Sequence, residues 1–198
     1  MAVYAAESER LWLQTLDVQE HLQDYFEINS SPESMLWSRS APHRHIEETR
    51  VLMLNSMPTP EQPWNQRWAI MLKPFPEPSI ANGSVSHLRA EKPKMIGIVG
   101  TPRKGELAYK INPNYWRKGY MSEALTMFLT MFWEFEENKS LARLVAAADP
   151  ENSGSTRVLE KAGFQRGEYK KDFYERAANE GGKKSDLQFF YLERPSNN

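Results

Sequence analysis

Apolar and polar positions alternate from Arg10 to Thr15, with Leu11 and Leu13 set against Trp12 and Gln14, which predicts a short strand. The period then lengthens. Val18, Leu22, Tyr25 and Phe26 recur at helical intervals between Val18 and Ile28, and a second helix is predicted over Ile46 to Met57 with Val51, Leu52 and Leu54 inward. Trp68 to Leu72 and Met95 to Val99 are apolar runs of strand length. Glu106 to Ile111 alternates and stops at Asn112-Pro113. Gly119 to Trp133 carries Met121, Ala124, Leu125, Phe128, Leu129 and Phe132 on one helical stripe. Leu144 to Ala148 reads as a buried strand. Asn152 to Ala162 reads as a helix capped by Asn152, with Gly163 just past its end. Phe164 to Lys171 and Leu187 to Arg194 read as closing strands. The pattern is an α/β mixture on one central sheet.

Between the two apolar runs lies Pro74-Phe75-Pro76-Glu77-Pro78 and then Asn82-Gly83-Ser84. Prolines at that density forbid a regular ladder, so residues 73–94 are expected to be a loop. It is too short to link two cores, and 198 residues suit one domain, here placed at 8–194. Hydrophobic residues at 40% and charged residues at 26% exclude wholesale disorder.

A net charge of −1 offers no global positive field for a nucleic-acid backbone or an anionic membrane, and neither partner is expected. The chain has no cysteine, which excludes disulfides, thiolate-bound metals and a thiol nucleophile together. His43 and His45 lack a partner at ligand spacing, so no metal is expected; His21 and His87 read as surface residues. The opening residues carry no export signal and no apolar run is long enough to span a bilayer. The expected location is the cytosol or the nucleus. Asn29-Ser30-Ser31, Asn82-Gly83-Ser84 and Asn138-Lys139-Ser140 match a glycosylation pattern by chance on that reading.

The stretch from Glu106 to Glu123 carries the chemistry. A strand ends at Pro113, and within five residues the chain passes Arg117-Lys118-Gly119 and opens a helix. Such a junction aims unpaired backbone N–H groups and the positive helix end at one point, where an anion fits; a plain capped helix after a tight turn has the same pattern. Two standard phosphate loops are excluded. Gly100-Thr101-Pro102-Arg103-Lys104-Gly105 is followed by Glu106 where a P-loop needs Lys-Ser/Thr, and no Gly-x-Gly-x-x-Gly occurs.

The segment Pro113-Asn114-Tyr115-Trp116-Arg117-Lys118-Gly119-Tyr120-Met121-Ser122-Glu123-Ala124-Leu125 resembles the acetyl-CoA-binding motif of the GNAT superfamily of N-acyltransferases. It looks most like the branch of ribosomal-protein N-terminal acetyltransferases. Asn152-Ser153-Gly154-Ser155-Thr156-Arg157-Val158-Leu159-Glu160-Lys161-Ala162-Gly163-Phe164 resembles that branch's second motif. The resemblance covers residues 8–194 and is strong after Met95. Arg117 departs from a frequent glycine, and Met121 from a usual glycine or alanine.

The resemblance implies a single-domain α/β (α+β) GNAT-like fold. Its sheet would be mostly antiparallel and twisted, with about six or seven strands splayed at the cofactor site and about four flanking helices. It implies acetyl-CoA as co-substrate, its pyrophosphate on the backbone around Arg117, Lys118, Gly119, Tyr120 and Met121, with Ser122 assisting. The strand carrying Tyr109 and Ile111 would pair with the pantetheine arm, as an added strand would. Asn152 would face that arm, and Ser155 would lie near the sulfur. An amine would attack the thioester directly. Glu106 is the expected base, Ser155 the acid, and a strand amide near Ile111 the oxyanion donor. Making a lysine of pKa ~10.4 neutral at pH 7 costs roughly 4.6 kcal/mol, against ~1.4 for an α-amine of pKa ~8. A polypeptide N-terminus or similar small amine is therefore the easier acceptor. The alternative is a non-catalytic CoA-binding sensor or scaffold of the same fold, and a third reading gives another acyl chain, with a pocket near Trp68 and Met71. Either a monomer or a homodimer is compatible with the chain.

Overall fold

A computed structural model describes residues 4–74 and 93–196. Among the described residues eight strands form one sheet: β1 (Tyr4–Glu7), β2 (Leu11–Thr15), β3 (Gln66–Leu72), β4 (Lys94–Arg103), β5 (Glu106–Ile111), β6 (Arg143–Ala148), β7 (Gln165–Tyr174) and β8 (Ser185–Glu193). Five α-helices accompany them: α1 (Val18–Ser30), α2 (Pro32–Met35), α3 (Ile46–Leu54), α4 (Tyr120–Glu134) and α5 (Ser153–Lys161). The strand order is β1-β2-β3-β4-β5-β6-β8-β7. Every neighbouring pair is antiparallel except β5–β6, which α4 joins as a parallel crossover. Most of the proline-rich loop, Asn82-Gly83-Ser84 and His87 lie outside the described residues.

Each face of the sheet has its own core. Phe128, Phe132, Leu125 and Ala124 of α4 pack with Leu11, Trp68, Ile96 and Phe190 on one side. Leu22, Tyr25 and Ile28 of α1 and Met53 of α3 pack with Ala69, Met71 and Ile98 on the other. Side chains this deeply buried contribute ~1.5–3 kcal/mol each, which seats α1 and α4 firmly. Trp68 and Met71, near which the third reading sets its pocket, belong to opposite cores, with Trp68 stacked on Phe135.

Helix ends follow local chemistry. Asp17 caps α1 by accepting from the amides of Gln19 and Glu20. Asn152 caps α5 through the Ser155 amide at 3.0 Å. At the other end of α5, Gly163 takes φ 91°, and the Phe164 amide reaches back to Leu159 O at 3.1 Å.

Three expectations change. His21 is buried instead of lying on the surface, its Nδ1 accepting from the Asp17 amide, and burial lowers its pKa. α3 ends at Leu54 and turns Thr49 and Met53 inward, leaving Val51 and Leu54 exposed. β1 and α2 are additional elements; at four residues each they are too short for periodicity to reveal. β1 is held by pairing with β2 and by Tyr4 stacked on Trp12 at 4.4 Å.

Candidate active site

β5 and β6 pair only at Glu106–Val145 and Leu107–Ala146. Beyond that point β5 stays hydrogen-bonded to β4 through Ile111, and β6 stays paired with β8 through Ala148. The two strands therefore part at their carboxyl ends, and the edge of β5 from Ala108 to Ile111 is left without a strand neighbour. Ligands of open α/β sheets enter at such a crevice.

The turn that follows is wound so that its amides face outward. Asn112 anchors it: its amide donates to Ile96 O at 2.8 Å, its Oδ1 accepts from the Asn114 amide, and its Nδ2 donates to Glu27. Trp116 Nε1 closes the loop on Ile111 O at 3.0 Å. Arg117 (φ 61°) and Gly119 (φ 81°) are both left-handed. Alternation of left- and right-handed residues turns successive N–H groups to one side as an anion-binding hollow. Among the described residues no acceptor is found for the amides of Arg117 to Ser122, and Gly119 opens α4 without a side-chain cap. Glycine is at home in that conformation; Arg117 is strained there, and its strain accounts for the glycine common at that position in the motif.

The turn is braced from behind. Glu123, in the first turn of α4, accepts from Ser8 Oγ (2.6 Å), the Arg10 amide (3.2 Å) and Arg10 Nε (2.8 Å) and Nη2 (2.5 Å). Arg10 Nη1 donates to Lys118 O at 3.0 Å, and its guanidinium lies over the Tyr120 ring. Burial would raise the Glu123 pKa, but hydrogen bonds from Ser8 and Arg10 outweigh it and hold the carboxyl below its ordinary range. Arg10, Glu123 and Asn112 have no role in the sequence reading; apart from the local Asn112–Asn114 bond, their contacts span 85 to 115 residues or join separate strands, which no local spacing displays. Met121, the larger residue in the motif, drops its side chain into the core beside Ala124 and leaves its amide on the open side. Ser122 is half-buried, and Lys118 extends over the Tyr115 ring.

At the crevice, the Tyr109 hydroxyl meets Ser155 Oγ at 2.8 Å and Ser155 O at 3.1 Å, joining β5 to the first turn of α5. Burial pushes the Tyr109 pKa up, with the bond to Ser155 opposing, so the hydroxyl keeps its proton at neutral pH. Sequence reasoning singled out Tyr109 for its backbone; the hydroxyl is a second feature of the same residue. Asn152 and Ser155 thus sit beside β5 at the crevice. Glu106 stands apart. Its carboxylate forms an ion pair with Arg103 across the β4–β5 turn.

On the opposite face a cavity of about 200 Å³ runs under α1, α2 and the segment before α3 and ends at Ala108, Tyr109 and Lys110. Glu106 is not among its lining residues. Glu47 and Glu48 are also spent elsewhere: Glu47 pairs with Arg50, and Glu48 accepts the amides of Arg44 and His45 at the start of α3. Among the described residues no group of three or more His, Asp or Glu is arranged to hold a metal, and no helix is long and apolar enough to cross a membrane.

These features define an α/β protein whose sheet is split beside an amide-lined turn. The match of residues 10–165 to the model of the acetyltransferase (GNAT) domain completes the assignment: the chain belongs to the GNAT acetyltransferase family. Over 61 residues it is 43% identical to the uncharacterized N-acetyltransferase YnaD of Bacillus subtilis (strain 168), covering 31% of this chain and 34% of that protein. Over 84 residues it is 30% identical to the uncharacterized N-acetyltransferase YoaA of the same strain, covering 39% and 46%. It thus spans between a third and half of the length of the curated relatives it matches.

Among solved structures, a GNAT-family acetyltransferase from Bacillus anthracis superposes with a TM-score of 0.70 at 21% identity, covering 94% of this chain and 96% of that one. RimL, a ribosomal L7/L12 α-N-protein acetyltransferase in complex with coenzyme A, gives 0.70 at 15% identity over 96% and 98%. The microcin C7 self-immunity acetyltransferase MccE, in complex with acetyl-CoA and AMP, gives 0.69 at 12% identity over 94% of each chain. At these identities the likeness is one of fold.

Proposed function

We propose that this chain transfers an acetyl group from acetyl-CoA to a primary amine, both bound at once on the two sides of the split sheet. The observation that carries this reading is the row of free amides from Arg117 to Ser122 at the mouth of the crevice. Those amides, with the start of α4 and the charges of Arg117 and Lys118, suit a pyrophosphate. The free β5 edge from Ala108 to Ile111 suits the pantetheine arm, and Asn152 faces the same channel.

Three residues then act on protons. The Tyr109–Ser155 hydroxyl pair donates to the sulfur as the C–S bond breaks. Glu106 draws the proton from the incoming amine through water, since its carboxylate lies outside the cavity and is paired with Arg103. Amides of the β5 edge face the oxyanion. The amine enters through the cavity under α1 and α2; among the structural neighbours, RimL is named for a protein α-amine, which supports an acceptor of that kind.

Calorimetric titration with CoA, paired with thiol release from acetyl-CoA over a panel of amines, tests the reading. Micromolar CoA binding, weakened about tenfold or more in Gly119→Val because φ 81° suits no β-branched residue, is the expected result. Glu106→Gln is expected to lower kcat by about tenfold or more, as is Tyr109→Phe combined with Ser155→Ala. Absence of CoA binding overturns the whole reading; binding without turnover leaves a CoA-holding module; unchanged kcat in either variant removes that residue's role.

A further inference from the structure

The cavity under α1 and α2 contains two cations and no carboxylate. Arg67 of β3 stands in register with Gly100 of β4, and Lys110 of β5 with Ile98, so both side chains leave the same face of the sheet. Among the described residues Arg67 makes no ion pair; its Nε is buried without an acceptor, and the group beside it is the neutral Tyr25 hydroxyl. Lys110 Nζ donates to Asn29 Oδ1 at 2.9 Å and touches Met35 Sδ, both neutral. The other titratable groups lining the cavity bring no negative charge. Tyr25 is kept protonated by burial, His43 shares its Nδ1 with Thr49 Oγ1, and Tyr109 is bound to Ser155. The acids nearest along α1 are engaged: Asp17 caps the helix, while Asp24 and Glu27 hold Lys94.

Two partly buried cations brought together without a counter-ion repel each other and lose part of their hydration, which is costly unless a ligand supplies the missing charge. On the reading that this cavity receives the acceptor, we infer that the acceptor is a small amine that itself carries an oxyanion, a carboxylate or a phosphate, which sits between Arg67 and Lys110 while the amine points towards Tyr109. A guanidinium fork and an ammonium both suit such an oxyanion. The same arrangement works against polyamines and lysine-rich peptides, whose charges would meet like charges. The volume of about 200 Å³ fits an amino-acid-sized molecule or the end of a peptide.

Lys110 adds a signature of its own. Burial, with Arg67 second, pushes its pKa down to about 8. An anion placed beside it raises that value, so binding near pH 8 takes up protons.

The test is calorimetry on the CoA-loaded full chain with matched pairs: amino acids from glycine to phenylalanine against their amides, and O-phosphoethanolamine against ethanolamine, with spermidine as the polycation. The carboxylate and phosphate arms separate the two kinds of anion. At least one acid member is expected to bind about tenfold or more tightly than its neutral partner, a margin typical of one charge-assisted hydrogen bond. Arg67→Met is expected to erase that margin, and Arg67→Lys to restore part of it, which a folding defect would not do. Proton uptake at pH 8, read in buffers of different ionisation heat, is expected in the parent and absent in Lys110→Met. Equal or tighter binding of neutral amines or spermidine, or no binding by any acid member at millimolar concentration, overturns the inference. Its failure is distinct from failure of the transferase reading: an enzyme that binds CoA and prefers neutral amines keeps the transferase reading and loses the inference, whereas a chain that ignores CoA loses the transferase reading and with it the acceptor role of the anion site.

Discussion

At Arg117 the proposed binding role and stability pull in opposite directions. Its left-handed φ of 61° costs an L-residue about 1–2 kcal/mol, and glycine would remove that strain while adding chain entropy to the unfolded state worth about 0.5–1. Arg117→Gly is therefore expected to raise stability by roughly 0.5–1 kcal/mol in urea melts. The same change removes a positive charge from the mouth of the crevice, and the KM for acetyl-CoA is expected to rise. A variant that gains affinity would show that the arginine faces away from the bound anion. Met121 shows the opposite case: a bulky residue in a slot usually filled by a small one does no harm at the turn, because its side chain belongs to the core and only its amide belongs to the site.

At the scale of elements, the opening of α4 depends on β1, β2 and the turn between them. Ser8 and Arg10 deliver four hydrogen bonds to Glu123 and one to Lys118 O, which holds the carbonyl side of the turn and leaves the amide side open. Glu123→Gln places an NH₂ group against the guanidinium and is expected to cost about 1–3 kcal/mol. Looser binding of CoA should accompany it. Because the Glu123 pKa is held down in the folded chain, its contribution is present above the ordinary carboxylate range and is lost as pH falls through the depressed value. Urea melts should therefore show the parent losing its advantage over Glu123→Gln as pH is lowered from about 5 to 3. A constant gap across that range would place the cost of the substitution in packing instead.

For the molecule as a whole, the two sides of the sheet have different work: α4 and α5 border the crevice, and α1, α2 and α3 roof the cavity. Gly100 sits between them. A Cβ there would lie 2.2 Å from Gln66 O and 2.8 Å from the Arg67 Cα, both backbone atoms. Gly100→Ala is expected to push β3 from β4 and cost about 1–3 kcal/mol, and to disturb Arg67, which stands opposite. Thermal melts check the first effect, and amine titration of the folded fraction checks the second. A variant with parent-like melting would mean that the β3–β4 spacing has slack.

The long elements were legible because each declares itself within a short window. The stripe of α4, the alternation of β5 and the Asn152 and Gly163 ends of α5 are local patterns, and the motif around Gly119 is a local backbone requirement written in residue types. Elements of four residues, such as β1 and α2, offer too few positions for a period. The inward face of α3 is not legible in sequence because Val51 and Leu54 are as apolar as Met53, and only the position of α1 decides which of them is covered. The site divides along the same line. Residues adjacent in the chain determined the amide-lined turn. The parting of β5 from β6, the bond between Tyr109 and Ser155, the brace from Arg10 to Glu123 and the pairing of Arg67 with Lys110 came only with the tertiary structure, because each joins side chains or strands that sequence separates and only sheet order brings together.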